Sequence, residues 1–135
     1  MRVFIDTNVL IDVLARREDF AEEACNVIDL GITGAYELCT TSMSFATTVF
    51  VAKKVLGYKN AVKALQELEE YIQVVPMDGT QCHEALFSDM PDFEDMLQFE
   101  AAIAAKCDFL VTRNKKHFPQ NGIPVVTPSE FLSQL

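Results

Sequence analysis

Five short apolar runs alternate along this chain with longer stretches whose apolar residues recur at helical spacing. The runs are Val3 to Ile5, Glu37 to Thr41, Ile72 to Pro76, Phe109 to Thr112 and Pro124 to Val126. A helix begins around Asn8, Val9 and Leu10, and further helical patterns cover Phe20 to Leu30, Phe45 to Leu56, Asn60 to Tyr71, Thr80 to Phe87 and Glu94 to Lys106. Thr127-Pro128-Ser129-Glu130 is a helix start, with a threonine cap, proline in the first position and an acid in the first turn; that helix would run to Leu135. Strands separated by helices are joined by right-handed crossovers, so the pattern predicts an α/β fold with a parallel sheet covered on both faces.

The length of 135 residues suits one domain, expected over residues 1–135. A domain of this size buries roughly 68% of the surface its unfolded chain exposes. Half of the residues are apolar, as a packed core requires. No apolar run approaches the ~20 residues of a membrane helix, and the segment after Met1 lacks the regions of a signal peptide, so a cytoplasmic location is expected. Cys25, Cys39, Cys82 and Cys107 are scattered without C-x-x-C spacing and read as buried thiols, not as a zinc site or disulfide framework. The net charge of −9 disfavours non-specific polyanion binding. Basic residues cluster only at Arg16-Arg17, Lys53-Lys54 and Arg113 with Lys115-Lys116. Acids gathered around a divalent cation would reverse the local balance.

Three segments carry chemistry. The first strand stops at Asp6, and ligands of open parallel sheets collect beyond the carboxyl ends of strands. Asp6 therefore has two readings, a helix cap or a working carboxylate. In Pro91-Asp-Phe-Glu-Asp-Met-Leu-Gln-Phe-Glu100, Asp92 and Asp95 share one helix face while Glu94 points elsewhere. Acids in a first turn complement the helix dipole, which accounts for Asp92 without further chemistry. Asp95 lies deeper. Two carboxylates at ~5 Å repel by about 3 kcal/mol at an effective dielectric constant of ~20, so bringing Asp95 against Asp6 calls for a cation. The third segment, Phe109-Leu-Val-Thr-Arg-Asn-Lys-Lys-His-Phe118, runs from a buried strand into a basic turn. Thr112 and Asn114 emerge at the same sheet edge as Asp6, and His117 reads as a surface residue.

Together, Ile5-Asp-Thr-Asn-Val-Leu-Ile-Asp-Val-Leu14, Asp92-Phe-Glu-Asp-Met-Leu-Gln-Phe-Glu-Ala-Ala-Ile-Ala-Ala105 and the Phe109 to Phe118 segment, in this order, resemble the PIN domain family, which includes the VapC-type toxins of toxin-antitoxin pairs. The resemblance spans essentially the whole chain. It implies a three-layer sandwich around a central parallel sheet of about five strands, and a metal-dependent nuclease, usually acting on RNA, that holds Mg2+ or Mn2+ with a small set of carboxylates. Asp6 and Asp95 match two of them, with Thr7 or Asn8 supporting the first turn. Two positions depart. Where the family usually has a glutamate early in the helix after the second strand, Thr41 to Val49 offers hydroxyls, with Thr48 nearest the expected place; where an aspartate often follows Thr-Arg, Asn114 stands. A further acid would come from Asp92, Glu94 or Asp12.

The resulting expectation is a ribonuclease with one ion on Asp6 and Asp95, Asp92 as a third metal ligand, and Asn114 as a catalytic residue orienting water. Asn8, Ser42, Thr48, Thr112, Arg113 and Lys115 are the candidate substrate contacts, with Lys116 a further basic group. One or two carboxylates with waters and phosphates suffice for magnesium. The partners implied are RNA, an antitoxin protein and, from the face Phe45, Val49, Ala52, Val55 and Leu56 as well as the resemblance, a second copy of the chain. The alternative is a PIN-like module that binds nucleic acid or protein without cleaving. Haloacid-dehalogenase phosphatases need a second aspartate where Asn8 stands, and response-regulator receivers need a lysine near Val126 to Pro128; neither is present.

Overall fold

The computed structural model describes residues 1–135. Its elements are β1 (Arg2–Ile5), α1 (Thr7–Ala15), α2 (Ala21–Ile32), β2 (Glu37–Thr41), α3 (Ser42–Leu56), α4 (Tyr58–Leu68), β3 (Ile72–Val75), α5 (Gly79–Leu86), α6 (Phe93–Ala104), β4 (Phe109–Val111), β5 (Val125–Val126) and α7 (Pro128–Ser133), with a 3-10 turn at Lys115–His117. All five strands are parallel, in the order β3-β2-β1-β4-β5. The expected α/β class, strand number and direction all stand. Pro76, Thr112 and Pro124 fall just outside the strands, although Thr112 still donates its N–H to the Val126 carbonyl (2.9 Å).

Alternation along the strands builds two cores. Phe4, Cys39 and Leu110 turn towards α5 and α6, where they meet Ala85, Met96, Phe99 and Ala102. Val3, Ile5, Leu38 and Val111 turn to the opposite face and pack with Val9, Leu10, Val27, Ile28 and Phe131 of α1, α2 and α7. The sheet is thus the middle of three layers. A smaller cluster of Leu14, Ala52, Ala61 and Leu65 fastens α3 and α4 against α1. No helix is long and apolar enough to cross a membrane.

The strand order decides where a site forms. From β1 the chain winds outward through β2 and β3, then returns to the other flank of β1 as β4 and β5. Successive connections therefore diverge on either side of β1, and open α/β sheets leave a crevice at such a reversal, outside the carboxyl ends of the strands. Asp6 follows β1, Thr112 follows β4, and β2 passes directly into α3 through Thr41, which caps that helix by accepting from Ser44 N–H (3.1 Å).

One glycine is required by close packing. A Cβ on Gly31 would stand 2.5 Å from Leu38 Cδ1 and 3.3 Å from the Tyr71 carbonyl, and Leu38 is fully enclosed in the core. Gly31→Ala gains helix propensity, but overpacking of this kind costs about 1–3 kcal/mol and outweighs it. Denaturant unfolding of Gly31→Ala should show a net loss of stability.

Candidate active site

Three apolar residues carry β1 through the sheet, and the chain leaves it at Asp6 in an extended conformation (φ −72°, ψ 156°) before entering α1. Asp6 is the helix cap that the sequence allowed, and it also faces the crevice. Its Oδ1 caps α1 by accepting from Thr7 N–H (2.7 Å). Only 3% of Asp6 is exposed, and its Oδ2 accepts from the Thr112 hydroxyl at 2.7 Å. Thr112 is fixed in turn, because its Oγ1 accepts from Asn114 N–H (3.0 Å) and from the Asn8 amide (3.3 Å).

Asp95 approaches from α6. Asp92 caps this helix by accepting from Asp95 N–H (2.9 Å), which leaves the Asp95 side chain on the first turn, 15% exposed and directed to the same cleft. The cleft has a volume of about 140 Å³ and is walled by Asp6, Thr7, Asn8, Ile11, Met43, Thr47, Glu94, Asp95, Gln98 and Asn114. None of these residues is basic.

The electrostatics follow from that composition. Burial pushes the Asp6 carboxyl above its ordinary range, against the donors Thr112, Thr7 and Gln98, which favour the anion; the charge of Asp92 adds to the rise. Burial and then the charge of Asp6 raise Asp95 to about 6, with His117 and its hydrogen bond pulling the other way. Uncompensated carboxylates in a shielded place are costly, and oxygen donors of this type suit a hard divalent cation. Mg2+ or Mn2+ therefore fits the residues present.

Beside the cleft, Asp92, Asp95 and His117 each offer a ligand atom within 4.8 Å of the others. His117 does lie at the surface, with 45% of its side chain exposed, yet its Nδ1 is 2.7 Å from Asp95 Oδ2. The 3-10 turn at Lys115–His117 delivers it there, a short element that apolar periodicity does not reveal.

Several expected contacts have other occupations. Thr48 is fully buried with no partner for its hydroxyl, and the α3 hydroxyl on the cleft wall belongs to Thr47, one residue earlier, beside Met43 of the same helix. Thr112 is fully buried and committed to Asp6. Arg113 forks onto Asp12 through Nε (2.6 Å) and Nη2 (3.1 Å) and stacks on Phe20, so neither Asp12 nor the guanidinium faces the cleft as a free charge. Lys115 bonds both oxygens of Glu130 (3.0 and 2.9 Å). Ser42 is an exposed residue at the start of α3 and does not line the cleft, whereas Asn8 and Asn114 do.

Two polar residues were missed. Gln98 and Ser44 are both buried and join Asp6 and Thr7 in one hydrogen-bonded group. A glutamine three residues beyond Asp95, set among Met96, Leu97 and Phe99, was the available signal, because that spacing returns it to the face of Asp95.

Comparison with known proteins agrees with this geometry. A PIN domain model matches residues 2–116. The chain is 26% identical to Ribonuclease VapC1 of Aquifex aeolicus (strain VF5), over 96% of this chain and 92% of that protein. Among solved structures, it resembles a toxin-antitoxin complex from Klebsiella pneumoniae, with 25% identity, a TM-score of 0.67 and coverage of 93% of this chain and 97% of that one. VapBC2 of Rickettsia felis, bound to a DNA fragment from its promoter, shares the fold at 15% identity with the same TM-score and the same coverage of both chains.

The raised Asp95 has a consequence for stability. Its folded value of about 6 lies above the ordinary 3.8, so ionisation in the ion-free protein works against folding above pH 6, and this penalty disappears as the pH falls below 4. Asp95→Asn should therefore stabilise the protein in chelator at pH 7 to 8, and the gain should vanish near pH 4. Unfolding curves of both proteins across this range measure it.

Proposed function

The chain belongs to the PIN domain family, and from that footing we propose that it is a metal-dependent ribonuclease acting as the toxin of a toxin-antitoxin pair. The observation that carries the reading is the convergence of Asp6 and Asp95 on one cleft that no basic residue lines. The relatives named ribonuclease and toxin-antitoxin complex support the substrate and the antitoxin partner. We read residues 1–135 as one such unit, working in the cytoplasm.

Asp6 and Asp95 would hold Mg2+ or Mn2+, with Asp92 at the edge of the set. The ion, when bound, would polarise the scissile phosphate and lower the pKa of an attacking water. The chain's own residues do the rest. Thr7 N–H and the Thr112 hydroxyl keep both oxygens of Asp6 in fixed directions. Asn114 and Asn8, on the cleft wall, offer amides that orient water or phosphate oxygens, and Thr47 adds a hydroxyl. Arg113 and Lys115 are already neutralised by Asp12 and Glu130, so the positive group left to steer the RNA backbone at this edge is Lys116, which is exposed and in no ion pair.

A second copy of the chain is part of the same reading, on altered grounds. α4 already covers much of the apolar face of α3, since Ala52 is enclosed and Phe45, Val49 and Leu56 pack against Ala61 and Leu65. What remains open is Phe50, Val55 and Tyr58, all more than half exposed, and patches of this kind mark interaction surfaces.

Asp6→Asn and Asp95→Asn should each fold and each lose Mn2+-dependent cleavage of single-stranded RNA. Thr112→Val, which frees Asp6 Oδ2 and also removes the acceptor of Asn114 N–H and the Asn8 amide, should weaken ion binding by about 10- to 100-fold in calorimetric titration. RNA binding by the pure wild-type protein without any metal-dependent cleavage would establish the non-cleaving module instead. Light scattering should give a dimeric mass that falls towards the monomer in Val55→Glu.

A further inference from the structure

Gln98 is the most heavily engaged polar side chain outside the carboxylate pair. It sits in the second turn of α6, is 1% exposed, and its amide reaches three other elements. The Thr41 hydroxyl, at the junction of β2 and α3, donates to Gln98 Oε1 at 2.6 Å. Gln98 Nε2 donates towards Thr7 Oγ1 (3.1 Å), Asp6 Oδ1 (3.4 Å) and Ser44 Oγ. Ser44 Oγ lies 2.8 Å from Thr7 Oγ1, which closes the group.

The orientation of this amide is dictated by its neighbours. An ionised carboxylate only accepts, so the end of Gln98 that faces Asp6 must be the donor. The carbonyl end is then left to Thr41, whose own oxygen is occupied in capping α3, so that its hydroxyl hydrogen is free to be given away. Reversing the amide would set two acceptors against each other at Asp6 and would exchange the short Thr41 bond (2.6 Å) for a longer one from that hydroxyl to Ser44 Oγ (3.3 Å). Buried polar groups of this kind cost heavily when unpaired, so the arrangement has one stable sense.

We propose that Gln98 is a positioning residue for the ion site: its amide, clamped by Thr41, fixes the direction in which Asp6 presents Oδ1 to the cleft. The proposal rests on reading Asp6 as an ion ligand. Gln98 supplies a neutral donor at this place, so it supports the Asp6 anion without adding charge or taking up a coordination position of its own. Thr112, just past β4, acts on Oδ2 and Gln98 of α6 acts on Oδ1, so the carboxylate is held at both oxygens.

The test is calorimetric titration of Mn2+ into the folded full chain, with wild type, Asp6→Asn, Gln98→Met and Thr41→Val in parallel, and with melting temperatures recorded in chelator. Gln98→Met keeps length and volume but removes both ends of the amide; Thr41→Val keeps Gln98 and removes its clamp. The expected result is a loss of affinity of roughly tenfold or more in Gln98→Met and a smaller loss in Thr41→Val, both with unchanged stoichiometry. A purely structural role would lower the melting temperature and leave the affinity of the folded protein alone. Wild-type affinity in Gln98→Met, or in Thr41→Val should the first variant not fold, would overturn the proposal. Wild-type affinity in Asp6→Asn would instead overturn the ion-site reading beneath it.

Discussion

Everything at the centre of this molecule is arranged around one buried anion. The Asp6 carboxylate lies in the hollow at the reversal of the sheet, where little water reaches it and no cationic side chain stands beside it on the cleft wall. A charge in that position is tolerated only through directed donors. They arrive from α1, β4 and α6, so three parts of the fold are tied to one functional group. What burial leaves uncompensated, expressed in the raised carboxyls of Asp6 and Asp95, is the imbalance that the proposed cation would relieve.

The basic residues near this edge tell a complementary story. The Thr112 to His117 segment looks like a positively charged turn in the sequence, yet two of its charges are used within the protein. Arg113 is bound to the fully buried Asp12 and covered by Phe20, and Lys115 ties the turn to α7 through Glu130. These pairs hold the loop after β4 against α1 and α7, and so hold Asn114 at the cleft and His117 against Asp95. Lys116 is the lysine of this turn left in no ion pair, while Arg113 and Lys115 act through position.

The fold class was legible because strand-helix alternation is written in apolar periodicity, whereas the strand order was not, since right-handed crossovers alone leave open which flank of β1 each strand joins. Asp6 and Asp95 were legible because acids that interrupt apolar runs at element boundaries are conspicuous. The rest depended on neighbours that a linear chain does not display. Thr47 and Thr48 differ by 100° around a helix, and only the packing of α3 decides which of them meets the cleft. His117 is brought against Asp95 by a single 3-10 turn, and Gln98 hides in an otherwise apolar stretch because its partners are distant threonines and serines.

The placement of β1 also orders the molecule in time. The central strand is made before every other strand of its sheet, but the hydroxyl that secures the aspartate after it is 106 residues away, and the amide from α6 is 92 residues away. Until Thr112 has left the ribosome, Asp6 has neither its partner strand on that flank nor an enclosed cleft to face. A chain stalled before Thr112 therefore carries no assembled site. Under the proposed function as a ribonuclease born among ribosomes and messages, this long-range topology delays the hazard to the machinery producing it.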